Sequence, residues 1–240
     1  MNISQNQLGL AIECTGRAGS VAIGTGPRPD FQIEFSAYMK HSAELFPAII
    51  ELLKKLDKKQ SDIKNIYVSV GPGSFTGIRI AVTAAKIIAY ANKCKVVQCS
   101  SLDVIANNFI QSDSNGSQNI NKIGAIIDAK RHQFFTAVYE KQNGNWTKTT
   151  NDCLMKSDEF VKKYADTESP VCVMGEGLLY YKNNFVCPGV VAADEKFWAA
   201  KAENVYQLGW IKAQKKDFTD FMDIQPVYLR KSEPEEKQAP

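Results

Sequence analysis

Two stretches in opposite halves of this 240-residue chain repeat one another position by position. Leu8-Gly9-Leu10-Ala11-Ile12-Glu13 and Ile123-Gly124-Ala125-Ile126-Ile127-Asp128 both read aliphatic, Gly, apolar, apolar, Ile, acid. Each acid is soon followed by a basic residue, Arg17 in the first copy and Lys130 and Arg131 in the second. Each copy then returns on an apolar run, Ser20-Val21-Ala22-Ile23 or Phe134 to Tyr139. Short apolar runs rich in β-branched residues and bounded by turn residues predict strands. A strand, acid, turn, strand unit that occurs twice predicts two related subdomains, each founded on a hairpin.

The other elements fill in around these hairpins. Phe31 to Ala37 predicts a third strand, and Ser42 a helix N-cap for Ala43 to about Leu56, with Pro47 bending or delaying its first turn. Ile66 to Val70 predicts a strand, followed by a loop of three glycines and a helix from about Thr76 to Ala91. Lys95 to Cys99 reads as a strand, Leu102 to Ile110 as a helix, and the polar stretch Gln111 to Asn121 as a loop near a domain boundary. Then follow a strand near Trp146 to Thr150, a helix near Ser157 to Tyr164, a strand Val171 to Met174 ending in Gly175-Glu176-Gly177, and a helix from Asp194 to about Lys215. This order predicts an α/β protein with subdomains at 1–102 and 103–193, a last helix at about 194–216 completing the first, and a C-terminal extension at 217–240.

Composition narrows the function classes. A net charge of +3 does not suggest a dedicated nucleic-acid binder, which would carry a strong basic face. Met1 to Gln7 is polar, and Leu8 to Ile12 is too short for a signal-peptide core or a membrane span. The six cysteines form no CxxC pair and are expected as reduced, small apolar residues. The two histidines, His41 and His132, form no HxxxH or HExxH pair, so a histidine-based metal site is not expected. The G-x-S-x-G elbow of a serine hydrolase is also missing.

Four features could carry function. Glu13 and Asp128 end equivalent strands; with Thr15 they are candidates for a vestigial nucleotide site, since Mg²⁺ prefers hard oxygen ligands. Alternatively, each acid caps its own turn or pairs with a nearby arginine. The loop Gly71-Pro72-Gly73-Ser74-Phe75-Thr76-Gly77 could cradle a phosphate, but no lysine lies within it. The favoured reading is that Gly71, Gly73 and Gly77 let strand and helix pass closely and set the pose of the helix. That helix is apolar around most of its circumference, with only Arg79 and Lys86 charged, so it needs cover on more than one side. Phe46, Ile49, Ile50 and Leu53 on the earlier helix, with Ile80, Ala84, Ile87 and Ile88 on this one, are the candidate partner surface.

The doubled hairpin resembles the skeleton of actin-like ATPases. In detail the chain is similar to the TsaB family, also called YeaZ. The resemblance rests on Ile12-Glu13-Cys14-Thr15 with Gly19-Ser20-Val21-Ala22, on His41 to Pro47, and above all on Gly71 to Arg79. Ser100-Ser101-Leu102, Asp128-Ala129-Lys130-Arg131, Gly175-Glu176-Gly177 and Pro226-Val227-Tyr228-Leu229-Arg230 also fit, whereas 111–121 and His132 to Ala137 are less typical. The resemblance implies an actin-like (ASKHA, ribonuclease H-like) fold and a cytoplasmic, non-catalytic subunit in making N6-threonylcarbamoyladenosine in tRNAs that read codons starting with A. It implies pairing with a catalytic TsaD homologue through the two N-terminal helices, together with a TsaE-type ATPase. ATP or ADP and metal are then expected on those partners and no cofactor on this chain. Contact with tRNA would come within the complex, and homodimers would form when the chain is alone. The competing reading is a self-sufficient ATPase or phosphotransferase using Glu13 and Asp128; an old endopeptidase label of the superfamily finds neither a metal pair nor a nucleophile elbow to support it.

Overall fold

The computed structural model describes residues 7–36, 41–112 and 120–230. The first half runs β1 (Leu8–Glu13), β2 (Ser20–Gly24), β3 (Phe31–Glu34), α1 (His41–Lys55), β4 (Ile63–Ser69), α2 (Phe75–Asn92) and β5 (Lys95–Cys99). After α3 (Ser101–Ser112) come β6 (Lys122–Asp128), β7 (Gln133–Gln142), β8 (Asn145–Lys156), α4 (Ser157–Tyr164), β9 (Val171–Met174), α5 (Leu178–Tyr181), β10 (Val190–Ala192) and α6 (Ala202–Gln214).

The strands form two five-stranded sheets, ordered β3-β2-β1-β4-β5 and β8-β7-β6-β9-β10. In each, the three-strand meander is antiparallel and the last two strands join in parallel. One topology is thus built twice in an α/β fold. The repeated glycines have equivalent jobs. A Cβ on Gly9 would lie 2.8 Å from the Tyr67 ring, and one on Gly124 would lie 2.6 Å from the Phe160 ring. Each glycine thus lets an aromatic ring rest on its strand.

Apolar packing follows the sheets. α1 and α2 cover one face of the first sheet, enclosing Leu10, Ile12, Val68, Leu45, Leu52, Ala81 and Ala85. The other face, through Ala11, Ala22 and Tyr67, joins α3, α6 and the second sheet in one continuous cluster. β1, β2 and β9 are buried along their whole length, which explains their unbroken apolar runs.

Several boundaries differ from the sequence expectation. α1 is already helical at His41, so Ser42 lies inside the helix rather than capping it, and Pro47 is accommodated within it. The last helix starts at Ala202 rather than Asp194. Asp194 caps a separate 3-10 turn, Glu195–Phe197, and the Trp198 indole donates to the Ala193 carbonyl at 2.9 Å, which holds that turn apart. The Ala202 N–H then bonds Ser20 Oγ at 2.9 Å and fixes the start of α6 on the first sheet. β8 continues to Lys156 because it pairs with β7 throughout, and the short α5 and β10 were not expected. The end of the third expected strand, at Ala37, and most of 111–121 lie outside the described residues.

Residues 217–230 fold back over both halves. Thr219 N–H bonds the Val96 carbonyl at 2.9 Å, and Val227 N–H bonds that of Val70 at 2.8 Å. Ile224 is fully buried in the first core, and Arg230 Nη1 reaches the Ala129 carbonyl of the second half at 2.5 Å. No helix among the described residues is long and apolar enough to cross a membrane.

Candidate functional site

The two repeated acids end their strands in matching turns. Glu13 Oε1 accepts from the backbone N–H and the hydroxyl of Thr15, each at 2.5 Å. Asp128 Oδ1 accepts from the Lys130 N–H at 2.8 Å and from the Tyr181 hydroxyl at 3.0 Å, while Lys130 Nζ bonds Oδ2 at 2.6 Å. Both acids therefore take the N–H two residues on and cap their own turns. Burial raises the Glu13 carboxyl above its ordinary range against the pull of Thr15. The second turn is strained: Lys130, Arg131 and His132 all have φ between 53° and 63°. Arg230 and the Tyr181 hydroxyl brace it through the Ala129 and Gln133 carbonyls.

The glycine loop packs against protein. Ser74 N–H bonds the Thr15 carbonyl at 2.8 Å, and Ser74 Oγ accepts the Gly77 N–H at 3.3 Å. A Cβ on Gly73 would lie 2.5 Å from the Thr15 carbonyl oxygen, and one on Gly77 would overlap that of Cys14. Gly71, with φ +112°, leaves room for the Val227 carbonyl of the returning tail. Gly73 and Gly77 thus seat the start of α2 against the residues that follow β1, while Gly71 admits the tail. His41 packs against Phe35 with its Nε2 3.2 Å from the Gly16 carbonyl; burial lowers its pKa.

Glu176 is the residue that sequence reasoning did not assign. It stands between β9 and α5, and its two carboxylate oxygens accept the Arg17 N–H at 2.9 and 3.2 Å across the cleft. Burial lifts its carboxyl to about 6, with the Arg17 N–H pulling the other way. The available signal was positional: Gly175-Glu176-Gly177 follows β9 as Gly71-Pro72-Gly73 follows β4, and β9 and β4 are equivalent strands.

The candidate partner surface divides. Ile49, Leu53, Ala84 and Ile88 lie in the first core against their own sheet and are not part of the outer surface. Their spacing placed them near the apolar stripe, but the sheet claims that side of each helix. Ile80 is half-buried, and Phe46, Ile50 and Ile87 are exposed at 44%, 52% and 55%. Tyr90, at 74%, extends this face toward Phe221 of the tail, whose ring lies 5.8 Å away.

Among the described residues no group of three His, Cys, Asp or Glu side chains could hold a metal ion. All six cysteines are free thiols; burial raises those of Cys94 and Cys172 to about 11.

Residues 36–208 match the family model described as TsaD, tRNA N6-adenosine threonylcarbamoyltransferase. The chain is 29% identical to the tRNA threonylcarbamoyladenosine biosynthesis protein TsaB of Bacillus subtilis over 208 residues, covering 85% of this chain and 86% of that one. It is 23% identical to the Escherichia coli protein of the same name, covering 92% and 94%. A Pseudomonas aeruginosa protein with similarity to peptidase YeaZ superposes with a TM-score of 0.77 at 23% identity, covering 93% of this chain and all of that one. With a TsaD-type domain over most of its length and these relatives matching nearly end to end, the chain belongs to the TsaB/YeaZ family.

Proposed function

We propose that this chain takes part in forming N6-threonylcarbamoyladenosine in tRNAs that read codons starting with A, as a non-catalytic subunit docking on a TsaD homologue. The observation that carries the docking is the exposure of large apolar side chains on both helices, Phe46 and Ile50 on α1 and Ile87 and Tyr90 on α2. Such a face gains by burial against an apolar partner surface. A TsaE-type ATPase completes the assembly in this reading, and ATP, ADP and metal reside on the partners. The same face serves a homodimer when the partner is absent, and the work is cytoplasmic. The non-catalytic role is supported by Glu13 and Asp128, which cap their own turns.

The test is co-purification of the chain with the TsaD homologue of the same organism. An Ile50→Lys, Ile87→Lys double variant should lose the complex, since like charges buried unpaired in an apolar seam are costly. Retained complex would remove this surface. Depleting the chain in the source organism should lower the threonylcarbamoyl modification in tRNA nucleosides read by mass; normal levels would contradict the function.

A further inference from the structure

The two halves share apolar packing through α3 and α6, where Ala11 and Tyr67 lie in one cluster with Ala125 and Phe134. At the strand ends, the turns after β1 and β9 meet through Glu176. Gly16 permits the approach, because a Cβ there would sit 3.2 Å from Glu176 Oε1. Around this contact Arg17 Nη1 bonds the Tyr180 hydroxyl at 3.0 Å, and Lys130 Nζ lies 5.0 Å from the centre of the same ring.

A nucleotide bound between two such halves would place its phosphates on the N–H groups of these turns. Three of those donors are engaged: Thr15 N–H with Glu13, Arg17 N–H with Glu176, and Lys130 N–H with Asp128. A phosphate arriving at the first turn would also face two carboxylates, Glu176 and the buried Glu13, whose charge already raises the Glu176 carboxyl. The residues present do not fit the nucleotide that an actin-like fold would imply.

We propose that Glu176 is an intramolecular latch: its carboxylate takes the backbone donor of the β1–β2 turn, ties the turns of the two halves together, and excludes nucleotide phosphates from the cleft. The latch concerns the cleft rather than the α1–α2 face, so its failure and failure of the partner reading are separable.

Amide hydrogen exchange of the full chain, read at Arg17, tests it. Glu176→Ala should raise the Arg17 exchange rate about tenfold or more, as expected for loss of a hydrogen bond to a charged group. Glu176→Gln keeps a carbonyl oxygen for the Arg17 N–H and should restore much of the protection. Glu176→Asp, one methylene shorter, withdraws the carboxylate from Arg17 and should raise the same rate, even where Glu176→Ala fails to fold. Mg-ATP at millimolar concentration should leave Arg17 exchange in the native chain unchanged. Unaltered Arg17 exchange in Glu176→Ala or Glu176→Asp would overturn the latch, and protection of Arg17 by Mg-ATP would overturn the exclusion.

Discussion

Ser74 gives its backbone N–H to the carbonyl of Thr15 at 2.8 Å, fastening the start of α2 to the end of β1. The adjoining Gly77 lies so close to the Cys14 carbonyl that a methyl group there would overlap it. Gly77→Ala should therefore destabilise the chain by about 3 kcal/mol or more, the upper end for overpacking, because the atom it meets is backbone. Gly26→Ala, where nothing lies within 4 Å, should stay within about 0.5 kcal/mol of the native chain. Urea denaturation of both variants checks the contrast.

The division of the α1–α2 surface can be read in stability alone. Ile50→Lys and Ile87→Glu, on exposed positions, should change stability by no more than about 0.5 kcal/mol. Ile49→Asp, one residue along α1 but 4% exposed, should cost about 3 kcal/mol or more through a buried unpaired charge. Equal effects in thermal melts of Ile49→Asp and Ile50→Lys would contradict this assignment of faces.

Stability should also carry the mark of Glu176. Its carboxyl titrates at about 6 in the folded chain against 4.5 as the ordinary value, so the folded state holds its proton more tightly. The resulting contribution is complete below the ordinary value and is lost as pH rises through about 6. It amounts to about 2 kcal/mol. Between about pH 4 and pH 7 the native chain should therefore lose stability relative to Glu176→Gln. Denaturation at matched pH values gives the difference directly, and a native chain that held or gained stability relative to Glu176→Gln as pH rises would refute it.

The returning tail belongs to the first core. Ile224→Ala should cost about 2–4 kcal/mol, because the residue is fully buried, while Met222→Ala, at 67% exposure, should be nearly neutral. A tail that merely rests on the surface would give two small and similar values in chemical denaturation.

Much of this architecture was legible in the chain. The echo of Leu8–Glu13 in Ile123–Asp128 became two sheets of one topology, because strand periodicity and the acid-capped turn are set over a few neighbouring residues. Gly73 and Gly77 announced a close backbone approach, since only a residue without a Cβ tolerates one. Local signals misled where side-chain bonds decided: the Trp198 indole bond to Ala193, five residues back, and the Ser20 bond to Ala202 from the far end of the chain split the last helix that its composition suggested.

The sequence by itself determined the repeat, the α/β order and the places where glycine was required, because each is written in short-range spacing. The tertiary structure alone decided which apolar residues are spent at home. Hydrophobicity is the same for Ile49 and Ile50, yet the sheet buries one and leaves the other exposed. It alone also brought Glu176 to Arg17, 159 residues away, because the occupant of a turn's donor depends on how the two halves close and not on either turn.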